Sequence, residues 1–288
     1  MLWLFACSEY GIHESVFTDV FEQGEETSSD LLFVVDDSAS MSEEQAQLAD
    51  AFGALVEAVE ETGADFRIGI VTTDVSGETA GAMRGDLLTP DTDDLEGAFL
   101  EQALAGTDGD KDEQGLEAAR LAVELAEGFP RDDAGFHVAF FSDEDDHSPD
   151  EVDAYVDDLA WVAGEDFAIH AVVGDLPYGC IRDGAAADAG TRYVTAALAS
   201  DGFRESICAS DYDGILERIG LGLSGRLDTF VLDHVAEESS LEVEVDDLDG
   251  EGWAFDVGAN AVVFEREHVP EPGAVVSIRY ELLAGADG

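Results

Sequence analysis

Apolar residues along this chain fall into two alternating textures. Short unbroken runs, LLFVVD from Leu31, FRIGIVTTD from Phe66, FHVAFFSD from Phe136 and FAIHAVVGD from Phe167, predict strands covered on both faces, as in a parallel sheet. Between the runs, apolar positions recur at three and four residues. Leu48, Ala51, Phe52, Leu55, Val56 and Val59 form one such stripe, and Ser42 with Gln45 has the spacing of a capping box at its start. A second helix is predicted to begin at Ser148, with Pro149 in first position and Glu151 closing another box. Its apolar face is Val152, Tyr155, Val156 and Leu159. Further helices are expected near Leu116 to Ala126, Thr191 to Ala199 and Tyr212 to Leu223. Strands alternating with helices are the pattern of an α/β fold with a mostly parallel central sheet flanked by helices.

After Arg226 the texture changes. TFVLD, SLEVEVDD, WAFDV, AVVFER and AVVSIRYELL are short, partly alternating and separated by Gly, Pro and Asp, which predicts a small all-β C-terminal segment. Leu241, Val243 and Val245 mark one inward face, and Val276, Ile278 and Tyr280 another. A stretch of roughly 60 residues is short for an independent core, so it is expected to pack on the α/β domain. The chain thus divides into a leader remnant at 1–7, an N-terminal extension at 8–29, an α/β domain at 30–225 and a β-rich segment at 226–288.

Charge adds a constraint on the surroundings. The 288 residues carry 68 acids against 12 bases, a formal net charge of -56, while 45% of residues are hydrophobic. That apolar share excludes disorder. Self-repulsion of this size needs screening, and the Debye length falls from about 8 Å at physiological salt to about 3 Å at 1 M. A halophilic source is the expectation. Nucleic acid and anionic membranes are poor partners for such a surface.

The opening residues MLWLFACSEY set Ala6 before Cys7 at the end of an apolar run. This resembles the end of a bacterial lipoprotein signal, with Cys7 taking the lipid, although Phe5 and the lack of a preceding basic residue depart from that pattern. The implied location is the cell envelope, on the outer membrane or cell surface, with membrane contact only through that anchor. No later stretch is apolar for 18 residues. Cys180 and Cys208 then remain as a pair in an oxidising compartment, where a disulfide is expected rather than two buried thiols.

Chemistry concentrates where the first strand ends. LLFVVDDSAS delivers the chain into Asp36, Ser38 and Ser40, spelling D-x-S-x-S. The carboxyl ends of parallel strands are where α/β folds bind ligands. A carboxylate and two hydroxyls on one tight loop are hard oxygen donors, suited to Mg²⁺, Mn²⁺ or Ca²⁺. The run HVAFFSD ends in Ser142 and Asp143 and leads into Glu144, Asp145 and Asp146, a loop placed to complete an oxygen-only site.

Taken in order, FVVDDSASM, RIGIVTTD and VAFFSDEDD resemble the first strand and metal loop, the second strand and the last metal-site strand of the von Willebrand factor A-type domain. The resemblance spans about Asp30 to Leu223. TDVFEQ, SDEDDHSP, the two cysteine segments and the β tail also resemble a group of bacterial envelope lipoproteins that carry this domain. What the resemblance implies is a Rossmann-like fold with a metal-ion-dependent adhesion site, Mg²⁺ foremost among its divalent cations. Ser38 and Ser40 would bind the metal directly, and Asp36 and Asp143 directly or through water. The family's fifth contributor is a threonine on a middle loop, just before a glycine and a helix. In GTDGDKDEQGLEAA that position falls to Asp112, while Thr107 lies five residues earlier. Either Asp112 supplies a carboxylate, or Thr107 reaches in from a longer loop, or the site lacks a protein ligand there.

The implied activity is binding, in which a protein or other ligand presents a carboxylate to the open coordination position. A structural envelope scaffold with a silent metal site is the alternative, and a metal-dependent hydrolase a third reading. No catalytic residue is expected. GLSGR around Ser224 lacks the last glycine of a nucleophile elbow, and no Walker loop or dinucleotide fingerprint is present. His137 and His170 lie within apolar strands as core residues, and His147 reads as a solvated loop residue.

Overall fold

The computed structural model describes residues 16–24, 28–77, 79–109, 113–163, 167–182, 185–200 and 202–283. Cys7 and Asp112 lie outside these described residues. The chain enters through β1 (Val16–Glu22) and β2 (Ser28–Val35), followed by α1 (Ser42–Asp50), α2 (Phe52–Thr62) and β3 (Asp65–Thr72). The middle holds α3 (Leu95–Ala103), α4 (Gly115–Leu125), β4 (Gly135–Ser142), α5 (Val152–Ala163) and β5 (Phe167–Val173). Then come β6 (Cys180–Arg182), β7 (Ala185–Ala187), α6 (Thr191–Leu198), β8 (Arg204–Ser206) and α7 (Asp213–Leu223). The last part is strand only apart from short 3-10 turns: β9 (Thr229–Val231), β10 (Glu242–Val245), β11 (Leu248–Asp249), β12 (Trp253–Asp256), β13 (Ala261–Phe264) and β14 (Val275–Glu281).

Residues 24–226 form one compact α/β unit. Its five strands run parallel in the order β3-β2-β4-β5-β8. Side chains along β2 alternate between two cores, as the pleat requires. Leu31, Phe33 and Val35 pack with Leu48, Phe52, Leu55, Leu216 and Ile219, whereas Leu32 and Val34 pack with Leu116, Ala119, Tyr155 and Tyr193. β4 is buried along its whole length, which is why its sequence lacks alternation. Phe99 of α3 stands edge-on to Phe33 at 5.3 Å between ring centroids and stacks on Phe52 at 3.7 Å. Full burial of one such ring contributes roughly 1.5–3 kcal/mol.

Strand order places the site. β3 lies on one side of β2 and β4 on the other, so the chain reverses direction across the sheet at β2. Such a reversal opens a crevice outside the carboxyl ends of the two strands that flank it, here β2 and β4. At the opposite edge, Asp30 is fully buried yet well partnered. Arg131 donates its amide to Asp30 Oδ2 at 2.6 Å, approaches Oδ1 with its guanidinium at 2.7 Å, and reaches Asp65 at 2.5 Å.

Two helix starts differ from the sequence expectation. The stripe from Leu48 to Val59 is divided at Ala51 into α1 and α2, and the Ser42–Gln45 box does not form: α1 has no side-chain cap. Gln45 instead donates to the carbonyls of Asp36 and Gly106, each at 2.8 Å. The Asp36 carbonyl is deprived of water and needs a donor more than the helix end does. Likewise α5 begins at Val152 rather than Ser148. Ser148 donates to Asp146 at 2.7 Å and accepts the Glu117 amide at 2.9 Å, so it caps the neighbouring helix α4.

The second unit joins residues 16–23 to residues 227–283. β1 pairs antiparallel with β14, from Val16 opposite Glu281 to Glu22 opposite Val275. Its sheet has the order β1-β14-β10-β11, and a second sheet has the order β12-β13-β9. Val276, Ile278 and Tyr280 are fully buried as expected, with Val243 beside them, while Leu241 and Val245 are only partly covered. Phe230 packs between Phe21 at 5.2 Å and Phe264 at 5.7 Å. Among the described residues, no helix is long and apolar enough to cross a membrane.

Candidate metal centre

Asp36 follows β2 and Asp143 follows β4, on adjacent strands. The Asp36 amide donates to the Phe141 carbonyl at 2.9 Å, which carries the ladder one step past the strand end. The Asp36 carboxylate is buried and locked: Oδ1 accepts the Ser38 amide at 2.7 Å and Oδ2 the Ser142 hydroxyl at 2.6 Å. The first contact turns the loop tightly, so Ser38 and Ser40 come to the same side with hydroxyl oxygens 3.2 Å apart. The Ser40 hydroxyl lies close enough to the Asp143 side chain to favour its charged form. Ser38, Ser40, Asp36 and Asp143 are thus brought together.

The other sequence candidates are placed differently. Thr107 is solvent-exposed on the middle loop. Asp145 and Asp146, expected to complete an oxygen-only site, are committed elsewhere. Asp145 accepts the Arg192 amide at 2.9 Å at the start of α6. Asp146 accepts the Leu116 amide at 3.1 Å and the Arg192 guanidinium at 2.9 Å. Helix amides and an arginine satisfy these carboxylates better than a crowded metal shell would. His147 is exposed, and His137 and His170 are buried with ring nitrogens 3.1 Å apart. Cys180 and Cys208 form the expected disulfide.

Glu113 is a buried acid that the sequence reading did not single out. It stands two residues before Gly115 and the start of α4, only 1% exposed. Its Oε2 accepts the Thr73 hydroxyl just past β3. Its backbone is fixed on both sides, since His147 donates to its carbonyl at 2.7 Å and the Gln114 amide donates to the Thr73 carbonyl at 3.2 Å. The signal that could have found it was the same DEQG run that suggested Asp112. The middle loop also approaches Asp37 closely: a Cβ on Gly109 would lie 2.5 Å from Asp37 Oδ1, and the Gly109 amide donates to the Asp37 carbonyl at 3.0 Å.

Burial and neighbouring acids raise four carboxyls here. Burial raises Asp36, with the Ser142 hydrogen bond opposing it. Burial and then Asp74 and Asp36 push Asp37 up to about 6. Burial, against the Ser40 hydroxyl and with Asp36 adding to it, pushes Asp143 up to about 6. Glu113 goes up to about 8, chiefly by burial and then by Asp36. Four buried carboxylate oxygens, Asp37 Oδ1, Glu44 Oε2, Asp143 Oδ1 and Glu113 Oε1, have no hydrogen-bond partner among the described residues. Buried polar atoms are normally partnered, and unpartnered carboxylate oxygens beside paired hydroxyls fit a hard divalent cation. No group of three His, Cys, Asp or Glu that could hold a metal ion occurs among the described residues.

No family model matches the chain, and no curated protein matches it. Solved structures that align with it include a von Willebrand factor type A protein from Catenulispora acidiphila, at 14% identity and TM-score 0.42, covering 95% of this chain and 66% of that one. The pilus adhesin SpaC from Lactobacillus rhamnosus GG, in its open conformation, aligns at 11% identity and TM-score 0.46 over 94% of this chain and 42% of that one. Proximal thread matrix protein 1 from the mussel byssus, with a zinc occupied MIDAS motif, aligns at 16% identity and TM-score 0.42 over 72% of this chain and 48% of that one. The chain spans less than two thirds of each of these structures.

Proposed function

We propose that this chain is a divalent-cation-dependent binding module of the cell envelope. The observation that carries the reading is the meeting of Ser38, Ser40 and Asp143 at the switch point of the sheet, with Asp143 Oδ1 buried and unpartnered among the described residues. Ser38 and Ser40 would hold the cation directly, and Asp36 and Asp143 directly or through water. Mg²⁺ is the first choice, and the same oxygens accept Mn²⁺ or Ca²⁺. The bound cation supplies an open position that an oxygen of the partner completes. Asp36 and Ser142 keep the serine loop in place for that contact.

A binding role, rather than a catalytic one, is supported by the surrounding groups. Of the histidines flanking the candidate strands, His147 is exposed and His137 and His170 face each other in the core. The Ser224 hydroxyl is buried and donates to the Leu221 carbonyl at 2.7 Å. The disulfide supports an oxidising, exported location, and a lipid on Cys7 would hold the module at the membrane. The test is capture by immobilised protein from an envelope fraction in high salt, with Mg²⁺ and then with chelator. Capture that chelator abolishes supports the binding module; capture indifferent to chelator contradicts it and favours a scaffold with a silent site.

A further inference from the structure

We propose that the buried pair His137 and His170 is an acid-sensitive latch, which holds β8 on the edge of the sheet while both rings are neutral and releases it when either takes up a proton. The rings lie in the core, 8% and 3% exposed, on the adjacent strands β4 and β5. Their contacts fix where the protons sit. The Phe203 amide can only donate, so His170 Nδ1, 3.4 Å away, accepts. A neutral ring then carries its proton on Nε2, which donates to His137 Nδ1 at 3.1 Å. Both Nδ1 atoms are thus acceptors already in use. A proton added at either one sets a donor against a donor and breaks a hydrogen bond in the core.

Those hydrogen bonds bear on β8, an edge strand of three residues that pairs with β5 alone in its sheet. Phe203, just before it, is tied to β5 twice: its amide reaches His170, and its carbonyl accepts the Ala171 amide at 2.9 Å. The Phe203 ring also covers His170, 4.4 Å away between ring centroids. Lifting β8 therefore uncovers the histidine. The charge facing the pair is unfavourable to a further proton. Arg218 of α7 lies over the Phe203 ring at 4.3 Å, and its partner at 2.8 Å is Glu205 of β8. Around His137, Leu31 of β2 lies opposite, and a Cβ on Gly222 of α7 would lie 3.7 Å from the ring, so neither neighbour brings a charge. Burial, then His137 and Arg218, hold His170 well below its ordinary range. The opened segment regains that range. Stability from the latch is therefore full above about pH 6.5 and is lost as pH falls, the opposite sense to the raised carboxyls of the metal centre.

Amide hydrogen exchange of the full chain, in concentrated potassium chloride with chelator and corrected for the intrinsic effect of pH, reads the latch strand by strand. Protection of the β5 and β8 amides should fall roughly 30-fold from pH 7.5 to pH 5, the ratio for one histidine that titrates near 6.5 only in the opened state. His170→Gln keeps an acceptor and a donor without a titrating nitrogen, and its protection there should not fall. Nitrogen-15 NMR of the histidine rings in the full chain needs no variant to fold: at pH 7.5 His170 should carry its proton on Nε2. Protection in the full chain that holds or rises on acidification overturns the inference. An equal fall in His170→Gln, or a proton on His170 Nδ1 at pH 7.5, overturns it as well.

Discussion

Ser142 donates its hydroxyl to Asp36 Oδ2 at 2.6 Å, joining the ends of β4 and β2 across 106 residues of sequence. Each residue at the site is positioned by a strand end, and this contact fixes one strand end to the next. Ser142→Ala removes the donor and leaves a buried carboxylate oxygen unsatisfied, a cost of roughly 1–3 kcal/mol in stability. It should also weaken cation binding by about 10- to 100-fold, as loss of an orienting partner does at other metal sites. Thermal unfolding and cation titration of the variant check the two effects.

Protonation and metal compete for the same oxygens. Asp143 and Asp37 are pushed up to about 6 and Glu113 to about 8, so the folded chain binds these protons more tightly than the unfolded one. The stability that these groups contribute to the metal-free protein is therefore fullest below the ordinary carboxyl range and is lost as pH rises from about 4 toward 8. Cation binding, which needs the carboxylates deprotonated, works in the opposite sense. The rise in Tm produced by 10 mM Mg²⁺ should grow from about pH 5.5 to about pH 8. A rise that is constant or shrinks over that range contradicts the proposed carboxylate ligands.

Much of this could be read from the chain itself. β2 to β5 were legible because burial on both faces leaves an unbroken apolar run, and the metal loop because D-x-S-x-S follows directly. β1 was not legible as a strand partner: its inward position Asp19 breaks the apolar alternation. That acid accepts the Tyr280 hydroxyl at 2.8 Å from β14, a partner 261 residues away. α3 was missed although Leu95, Phe99 and Ala103 keep a four-residue spacing; Gly97 and a nine-residue length hid it. Glu113 could be singled out only once Thr73 was in view, since nothing local distinguishes adjacent acids.

Asp30 and Arg131 offer a test away from the metal. Asp30 is completely buried, and Arg131 is its charged partner, with a side chain 13% exposed. Arg131→Ala should destabilise the fold by about 3–5 kcal/mol, because an uncompensated buried carboxylate remains. Asp30→Asn with Arg131→Ala together should cost less than Arg131→Ala alone. Urea unfolding of the three proteins measures both quantities.

Reduction of Cys180–Cys208 should loosen both fold and site. The bond closes a loop of 28 residues, worth about 3.5 kcal/mol in the chain-entropy account. Within that loop the Asp188 amide donates to the Asp143 carbonyl at 2.8 Å, and Arg182 approaches Glu44 at 3.6 Å. Cys180→Ser with Cys208→Ser should lower the urea midpoint and also weaken cation binding several-fold. Unaltered binding in the variant would show that the loop supports the fold alone.

The most direct test of the metal centre is calorimetric titration of Mg²⁺ into the full chain, Ser38→Ala and Asp143→Ala in concentrated potassium chloride at about pH 8. The full chain should show one saturable site, and both variants should lose it while remaining folded by circular dichroism. Saturable binding that survives unchanged in both variants would place the cation elsewhere and contradict the account.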